Sequence, residues 1–218
     1  MEPLLRNVNA LDWISLALLA SLVFLSLAKA FFPIRFQTFL ILPFNNKYIF
    51  IYNKKDKLAN WFHMFIMLFS LCNLPIYAYY TINILELGKY TVSPGGVWWL
   101  LLFSILYIGG KFLLQLLNGL VFNINPIVNE AVFKKMAYLN YSGLIMFMAN
   151  IILTYMAPNA KVLIYISLLL VVAINTIGWV TTIRNHQKFL GANIFYFILY
   201  LCTLEIAPVV IVGSYLKD

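Results

Sequence analysis

Two charged residues, Lys111 and Glu205, lie deep inside long apolar stretches of the sequence. A charge within a bilayer is costly, so such residues are candidates for an ion pathway, a proton relay or a buried ion pair. Opposite charges at similar depth can pair if their helices are neighbours. The sequence therefore predicts an intramembrane pair of Lys111 and Glu205, and leaves open whether that pair is functional or structural.

Other polar residues accompany Lys111 on its stretch. Spacings of three and four residues predict that they share one face of an α-helix with it: Ser104, Tyr107, Gln115 and Asn118. Gly109 and Gly110 precede the lysine and would allow another backbone to approach closely. A weaker polar stripe comes later in the chain: Ser167, Asn175, Gly178 and Thr182. Interhelical hydrogen bonding, a conduction or proton-coupling site and a catalytic site all remain possible uses of these groups.

Composition identifies the elements that must position these residues. Of 218 residues, 63% are apolar and 10% are charged, and the mean hydropathy is +0.89. Soluble domains are about 45–50% apolar and about 25% charged, so an ordinary soluble globule, a disordered chain and a secreted disulfide scaffold are excluded. The sequence predicts one all-α domain, a polytopic transmembrane helix bundle. Its six predicted spans are about 11–32, 60–85, 97–122, 139–157, 162–183 and 192–215.

Basic residues predict how the bundle lies in the membrane. Six spans place both termini on one side, and cytoplasmic loops carry the excess of Lys and Arg. The first, third and fifth loops hold nine such residues: Arg35, Lys47, Lys54, Lys55, Lys57, Lys134, Lys135, Arg184 and Lys188. The opposite face holds four: Arg6, Lys89, Lys161 and Lys217. Both termini are therefore predicted to be periplasmic.

Two segments between the spans have features of their own. We expect Pro33–Ala59 to lie at the inner interface and to be partly helical, since its middle is apolar. The basic patch Lys54, Lys55 and Lys57 near its end is interpreted either as a topology signal or as a docking site for lipid headgroups or a partner. Asn125 and Pro126 resemble an N-cap followed by proline at the first helical position, which predicts a short surface helix through Lys135.

The sequence carries no signature of catalysis or metal binding. His63 and His186 are far apart and have no acidic or cysteine neighbour at ligand spacing. Cys72 and Cys202 both fall in apolar stretches and form no CxxC motif. The basic residues form no dense tract, so the net charge of +8 does not indicate nucleic-acid binding. We expect no catalytic residue, metal or cofactor, and we expect the lipid bilayer and other membrane proteins as partners.

Three short segments resemble an uncharacterised family of small inner-membrane proteins from Bacteroidota, a domain of unknown function. They are Arg6–Val8 with Leu11–Trp13, Leu42–Tyr48 and Tyr52–Leu58. The resemblance would cover nearly the whole chain. It implies a location in the cytoplasmic membrane of a diderm bacterium, and it implies no catalytic or binding residues.

Two functional classes fit these features. The first is a non-catalytic membrane subunit that contacts other proteins in envelope assembly or protein export, which short outer loops and a basic inner face favour. The second is a small proton-coupled carrier built on Lys111 and Glu205, although the chain lacks the inverted repeat of many carriers. A membrane enzyme is a third and weaker hypothesis. The sequence identifies neither a partner nor a substrate.

Overall fold

The computed structural model describes residues 8–45, 47–55, 60–85, 93–121 and 125–185. Regular structure in these residues is helical throughout, as predicted. The α-helices are α1 (Val8–Phe31), α2 (Pro33–Leu40), α3 (Lys47–Lys55), α4 (Trp61–Leu85), α5 (Val97–Val121), α6 (Asn125–Ile151) and α7 (Lys161–Asn185). Five of them, α1, α4, α5, α6 and α7, are long and apolar enough to cross a membrane. The predicted span 192–215 lies outside the described residues, so the span count and the side of the termini stay predictions.

Four of the predicted spans agree with the helices to within three residues at either end: α1, α4, α5 and α7. This agreement is expected because an apolar run of about 20 residues must satisfy its backbone hydrogen bonds within itself. Pro75 does not end α4, which continues through it to Leu85. A proline is tolerated inside a membrane helix where neighbouring helices compensate for the lost hydrogen bond.

The predicted boundary of the fourth span was wrong. The short surface helix ending at Lys135 and the span 139–157 form one continuous helix, α6, which a π-helical turn extends over Ile152–Met156. Lys134 is only 2% exposed, and its Nζ lies 2.8 Å from Oε1 of Glu130, one turn earlier. This pairing neutralises the lysine locally, and no proline or glycine breaks the helix between the two predicted elements.

The segment between α1 and α4 is partly helical, as predicted, and packs into the bundle. Its apolar side chains join one buried cluster with α1, α4 and α6: Phe36, Phe39, Leu42, Tyr48 and Ile49 against Ala28, Phe62, Ile66, Phe133, Ala137 and Tyr138. Aromatic contacts dominate it, with Tyr48 stacked on Phe133 at 6.1 Å between ring centroids. Helices α2 and α3 therefore cover one end of the helix bundle.

Helices α4 and α6 form the centre of the described bundle. Helix α1 packs on α4, α7 packs on α6, and α5 packs against both central helices. A second buried cluster joins α1, α4 and α6 through Ile14, Leu18, Phe69, Ile76 and Phe147. In the most apolar stretch of α6, half of the residues are buried. In the corresponding stretches of α5 and α7, only 17% of the residues are buried. Within the described part of the structure, α5 and α7 therefore each keep a largely exposed outward face.

Candidate binding site between α4, α5, α6 and α7

Neutral polar side chains connect α4 to α6 in the interior. Asn150 Nδ2 donates a hydrogen bond to the backbone oxygen of Asn73 at 3.0 Å, and both residues are fully buried. Closer to the C-terminal ends of these helices, the hydroxyls of Tyr80 and Thr154 are 2.9 Å apart. In hydrocarbon a polar group without a partner is costly, so these bonds fix the relative position of the two helices.

Helix α7 is joined to the central helices in the same way. The hydroxyls of Tyr77 and Ser167 are 2.8 Å apart, which links α4 to α7. Asn175 Nδ2 donates to Ser142 Oγ at 2.7 Å, which links α7 to α6. The weaker stripe predicted on α7 thus contains two residues, Ser167 and Asn175, that bond to other helices.

Glycines let the helices approach at two points of this interior. A Cβ atom added to Gly143 of α6 would lie 2.5 Å from Ser70 Oγ of α4. A Cβ atom added to Gly178 of α7 would lie 2.7 Å from the ring of Tyr138. Ser70 Oγ also donates to the backbone oxygen of Asn140 at 3.3 Å, so α4 and α6 are in direct backbone proximity here.

A cavity of about 260 Å³ lies beside this contact, where α4, α5, α6 and α7 meet. Its apolar wall includes three methionines, Met67, Met136 and Met146, and its polar residues are Ser70, Asn140, Ser142 and Asn175. Asn140 is 1% exposed, and neither its Oδ1 nor its Nδ2 has a hydrogen-bond partner among the described residues. An amide in this state is unusual, since buried polar groups in proteins are almost always hydrogen-bonded.

Lys111 lines a second, smaller cavity of about 90 Å³ between α5, α6 and α7. Lys135 of α6 lines it as well, and its Nζ lies 5.3 Å from the ring centroid of Trp179, a cation–π contact. Four residues belong to the walls of both cavities: Ile108, Phe112, Leu139 and Asn175. The two cavities therefore adjoin, and two cationic side chains stand beside a mostly apolar chamber.

The polar residues predicted to share the face of Lys111 have different surroundings. Ser104 and Gln115 are buried, and the amide of Gln115 has no hydrogen-bond partner among the described residues. Ser104 Oγ donates to Leu100 O within α5 at 2.7 Å, and Tyr107 is 37% exposed and lines the Lys111 cavity. Asn118 belongs to α5, and its side chain is outside the described part.

Several other predicted residues are outside the described part. Glu205 is one of them, so the Lys111–Glu205 pair stays a prediction. Lys57 is also outside it, and Lys54 and Lys55 are described only as the end of α3. His63 is buried, its Nε2 lies 3.3 Å from the hydroxyl of Tyr48, and its ring packs edge-on to Phe133. Among the described residues no group of three His, Cys, Asp or Glu is arranged to hold a metal ion.

The hydrogen bonds between the neutral polar residues of α4 and α6 were not predicted, because these side chains carry no charge. A signal was present: the residues of α4 follow helical spacings of three, four and three, as Ser70, Asn73, Tyr77 and Tyr80. In α6, Asn140, Gly143, Asn150 and Thr154 follow spacings of three, seven and four. Such spacings place polar groups on one face of each helix, which predicts facing polar stripes.

Comparison with known proteins gives a family and no function. No curated protein and no solved structure matches this chain. The sequence matches DUF4271, described as a domain of unknown function, over residues 14–216. This match covers nearly the whole chain and includes α1 from residue 14 onward and all of α4, α5, α6 and α7. A bundle of apolar helices with polar interhelical bonds and cavities between its helices is thus the described structure of a chain that belongs to the DUF4271 family.

Proposed function

We propose that this protein is a non-catalytic subunit of a larger assembly in the cytoplasmic membrane of a diderm bacterium, where it serves envelope assembly or protein export through contacts with other membrane proteins. Five apolar helices of spanning length support the membrane location. The asymmetry of Lys and Arg supports a multi-pass arrangement with both termini in the periplasm. The resemblance to inner-membrane proteins of Bacteroidota supports the choice of membrane.

The observation that carries the proposal is an unused glycine pair in the middle of α5. Gly109 and Gly110 are exposed, and a Cβ atom added to either would meet nothing within 4 Å. Glycine inside a helix costs about 0.5–1 kcal/mol relative to alanine. The packing of the described residues does not use this pair, whereas a helix of another protein could pack closely against it.

The face of α5 around the pair is apolar and exposed. Its neighbours on that side include Leu102, Leu106, Leu113 and Leu117, all at least 46% exposed. Large residues flank a shallow notch at mid-membrane, which is the form that a small-residue helix interface takes. The proposed partner surface is therefore a transmembrane helix of a different protein, packed against α5.

Purification from the native membrane in a gentle detergent tests the proposal. The wild-type chain should elute with a stoichiometric, different membrane protein. The double variant Gly109→Leu with Gly110→Leu should lose it by at least tenfold while its own elution and helicity stay unchanged. Ala173→Leu is the matched control, since Ala173 is also small, exposed and central in its helix, α7. A wild-type chain that elutes alone, or only with itself, contradicts the subunit function.

A second candidate function is a small proton-coupled carrier that uses Lys111 and Glu205. The observation in its favour is the chamber beside Lys111, which adjoins the larger cavity. Breaking a buried pair on one side costs roughly 3–5 kcal/mol in soluble proteins. Lys111→Met and Glu205→Gln should then each lower the folded yield, and the double variant should recover part of it. If the two single effects simply add, the residues do not interact.

Two further measurements separate the candidates. A carrier should be monodisperse alone and should move protons in sealed vesicles in a manner that Lys111→Met abolishes, whereas the subunit should not. Cysteines introduced at Lys54 and Lys217 should label from opposite sides of the membrane. Labelling from the same side would overturn the predicted six spans and therefore the orientation assumed for either function.

A further inference from the structure

Two lysines from neighbouring helices, Lys111 of α5 and Lys135 of α6, line the smaller cavity. Both side chains are partly exposed, so a ligand that approaches from outside the bundle can reach them. Among the described residues, no acidic side chain lines either cavity. The smaller cavity is therefore a place of concentrated positive charge between three helices.

Contacts that the two lysines already make do not remove this charge. An ammonium group has three N–H donors, so a contact made by one of them leaves others for a ligand. Lys135 lies over the ring of Trp179, which carries no charge. Glu205, the predicted partner of Lys111, would offset only one of the two charges. Even with that pair formed, the cavity attracts an anion.

The two adjoining cavities change from charged to apolar along the helices. On α6 the smaller cavity is lined by residues 135, 138 and 139, whereas the lining of the larger one continues to residue 146. On α7 the smaller cavity is lined by residues 175, 178 and 179, and the larger one by residues 171 and 175. The charged cavity therefore lies nearer the N-terminus of α6 and the C-terminus of α7, and the apolar one lies nearer the middle of the bundle.

The charged end of the paired cavities has features of a membrane interface. Trp179 lines it, and tryptophan is enriched where membrane helices meet the lipid headgroups. The same end carries Lys134 and Arg184, and its basic residues predict that it faces the cytoplasm. Anionic lipids give the cytoplasmic leaflet a negative surface potential that attracts basic segments. We therefore expect the two lysines to meet lipid headgroups rather than acyl chains.

The larger cavity suits a hydrocarbon chain. An engineered apolar cavity of about 150 Å³ stays dry and accepts benzene, and this one is larger, about 260 Å³, with a mostly apolar lining. Its three methionines are Met67, Met136 and Met146. A thioether side chain is unbranched and flexible, so it adapts to the shape of an aliphatic chain.

We propose that the two cavities together bind one anionic phospholipid, with its phosphate at Lys111 and Lys135 and one acyl chain in the larger cavity. Basic pockets between transmembrane helices are a known form of site for acidic headgroups. Free phosphate shares the charge of the headgroup but leaves the apolar cavity empty, so a lipid is the occupant that uses both. The site is independent of the proposed partner face, since Gly109 and Gly110 line neither cavity.

Photolabelling of the full chain in phosphatidylcholine vesicles tests the site. The probe is a phosphatidylglycerol with a diazirine near the end of one acyl chain, present as a small fraction of the lipid. The reference probe is a phosphatidylcholine with the same chain, and adducts are mapped by mass spectrometry. The anionic probe should label Met67, Met136 and Met146 at least about fivefold more than the reference does. Equal labelling by the two probes would overturn the proposal.

Substitution of the lysines tests the headgroup contact. Lys135→Gln should lower labelling by the anionic probe about fivefold, since one basic residue near the surface contributes about 1 kcal/mol to binding anionic lipid. Lys135→Arg keeps the charge and should keep most of the labelling. Lys161→Gln is the matched control, because Lys161 is an exposed lysine of α7 that lines neither cavity. A preference for the anionic probe that survives Lys111→Gln combined with Lys135→Gln would contradict the site.

Two further arms identify the occupant. Val171→Phe fills the larger cavity from α7 with both lysines intact, and should abolish labelling of the methionines. Inorganic phosphate should displace the anionic probe no more than chloride does at equal ionic strength. Displacement specific to phosphate would identify a site for a free anion and overturn the lipid. Adducts confined to exposed residues such as Leu106 and Leu169 would do the same.

Discussion

Gly143 in α6 and Gly109 in α5 both lie in the middle of an apolar helix, but their surroundings are opposite. A Cβ atom at Gly143 would collide with Ser70 of α4, whereas one at Gly109 would meet nothing within 4 Å. Gly143 is therefore required by the packing of α6 against α4. Gly109 makes no such contact among the described residues, so their packing does not require a glycine there.

The helices around these two glycines differ in the same way. Helix α6 shares polar bonds with α4 and α7, and half of its apolar window is buried. Most residues in the apolar stretch of helix α5 are exposed. Gln115 of α5 is fully buried, but its amide has no hydrogen-bond partner among the described residues. Glycines at similar positions in two apolar helices can thus differ completely in whether a neighbouring helix packs against them.

The largest effect should come from Gly143→Ala. The added Cβ would lie 3.0 Å from Ser70 Cβ and 3.2 Å from its Cα, so the α4 backbone itself must move. We expect a loss of about 3 kcal/mol, the upper end of ordinary overpacking, measured by unfolding in mixed micelles of rising SDS fraction. Gly109→Ala is the control and should be neutral or slightly stabilising. An equal loss of unfolding free energy for Gly143→Ala and Gly109→Ala would show that the two glycines do not differ in how tightly they are packed.

Gly178→Ala should be the next most harmful substitution. Its Cβ would lie 2.7 Å from Cγ and Cδ2 of Tyr138, a side chain that is 1% exposed and has little room to turn away. We expect a loss of about 2 kcal/mol in the same unfolding assay. Adding Tyr138→Leu should cost less in the Gly178→Ala background than in the wild type. If the free-energy losses of the two substitutions simply add, Gly178 of α7 and Tyr138 of α6 do not contact each other.

Asn150→Leu should have a moderate effect on stability. It removes the 3.0 Å bond from Nδ2 to the backbone of Asn73 while keeping the number and branching of the side-chain heavy atoms. Interhelical bonds in membrane proteins contribute about 0.6 kcal/mol on average and about 1.7 kcal/mol at most. The control is Thr176→Val on the exposed side of α7, where Oγ1 bonds only within its helix. An unchanged unfolding midpoint for Asn150→Leu would mean that α4 and α6 do not depend on this bond.

The smallest effect should come from Tyr77→Phe. The substitution deletes one hydroxyl, which lies 2.8 Å from Ser167 Oγ, and leaves the buried ring in place. A loss of about 0.6 kcal/mol is expected, to be compared with Tyr165→Phe, whose residue is 60% exposed on α7. If Tyr165→Phe costs as much as Tyr77→Phe, the bond between α4 and α7 adds nothing specific.

The ends of four spans could be predicted from the sequence because hydropathy is a local property and helix length is set by the membrane. The fourth span was misplaced for a reason that local hydropathy does not contain. Lys134 looks like a loop residue until Glu130, one turn away, pairs with it and lets both stay helical. Because an ion pair one helical turn apart offsets the charge, a stretch that contains Lys and Glu can remain part of a buried helix.

The candidate site was predicted only in part. The charge of Lys111 marked it as a candidate, and this residue lines a cavity. Helical spacing predicted the polar stripe of α7. The neutral groups of α4 and α6 were overlooked, since Ser, Asn and Tyr are common in membrane helices and carry no charge. Whether these residues bond within their own helix or to another helix depends on which helices are neighbours in the bundle.

The sequence by itself determined the all-helical, apolar class of the protein and the bounds of most described spans. These follow from composition and from periods of about 3.6 residues, which are properties of single segments. Only the tertiary structure decided that α4 and α6 are central, that Gly143 meets Ser70, and that the amide of Asn140 is buried without a hydrogen-bond partner among the described residues. Those facts depend on contacts between residues far apart in the chain, and helix packing in a membrane follows close steric fit that hydropathy does not encode.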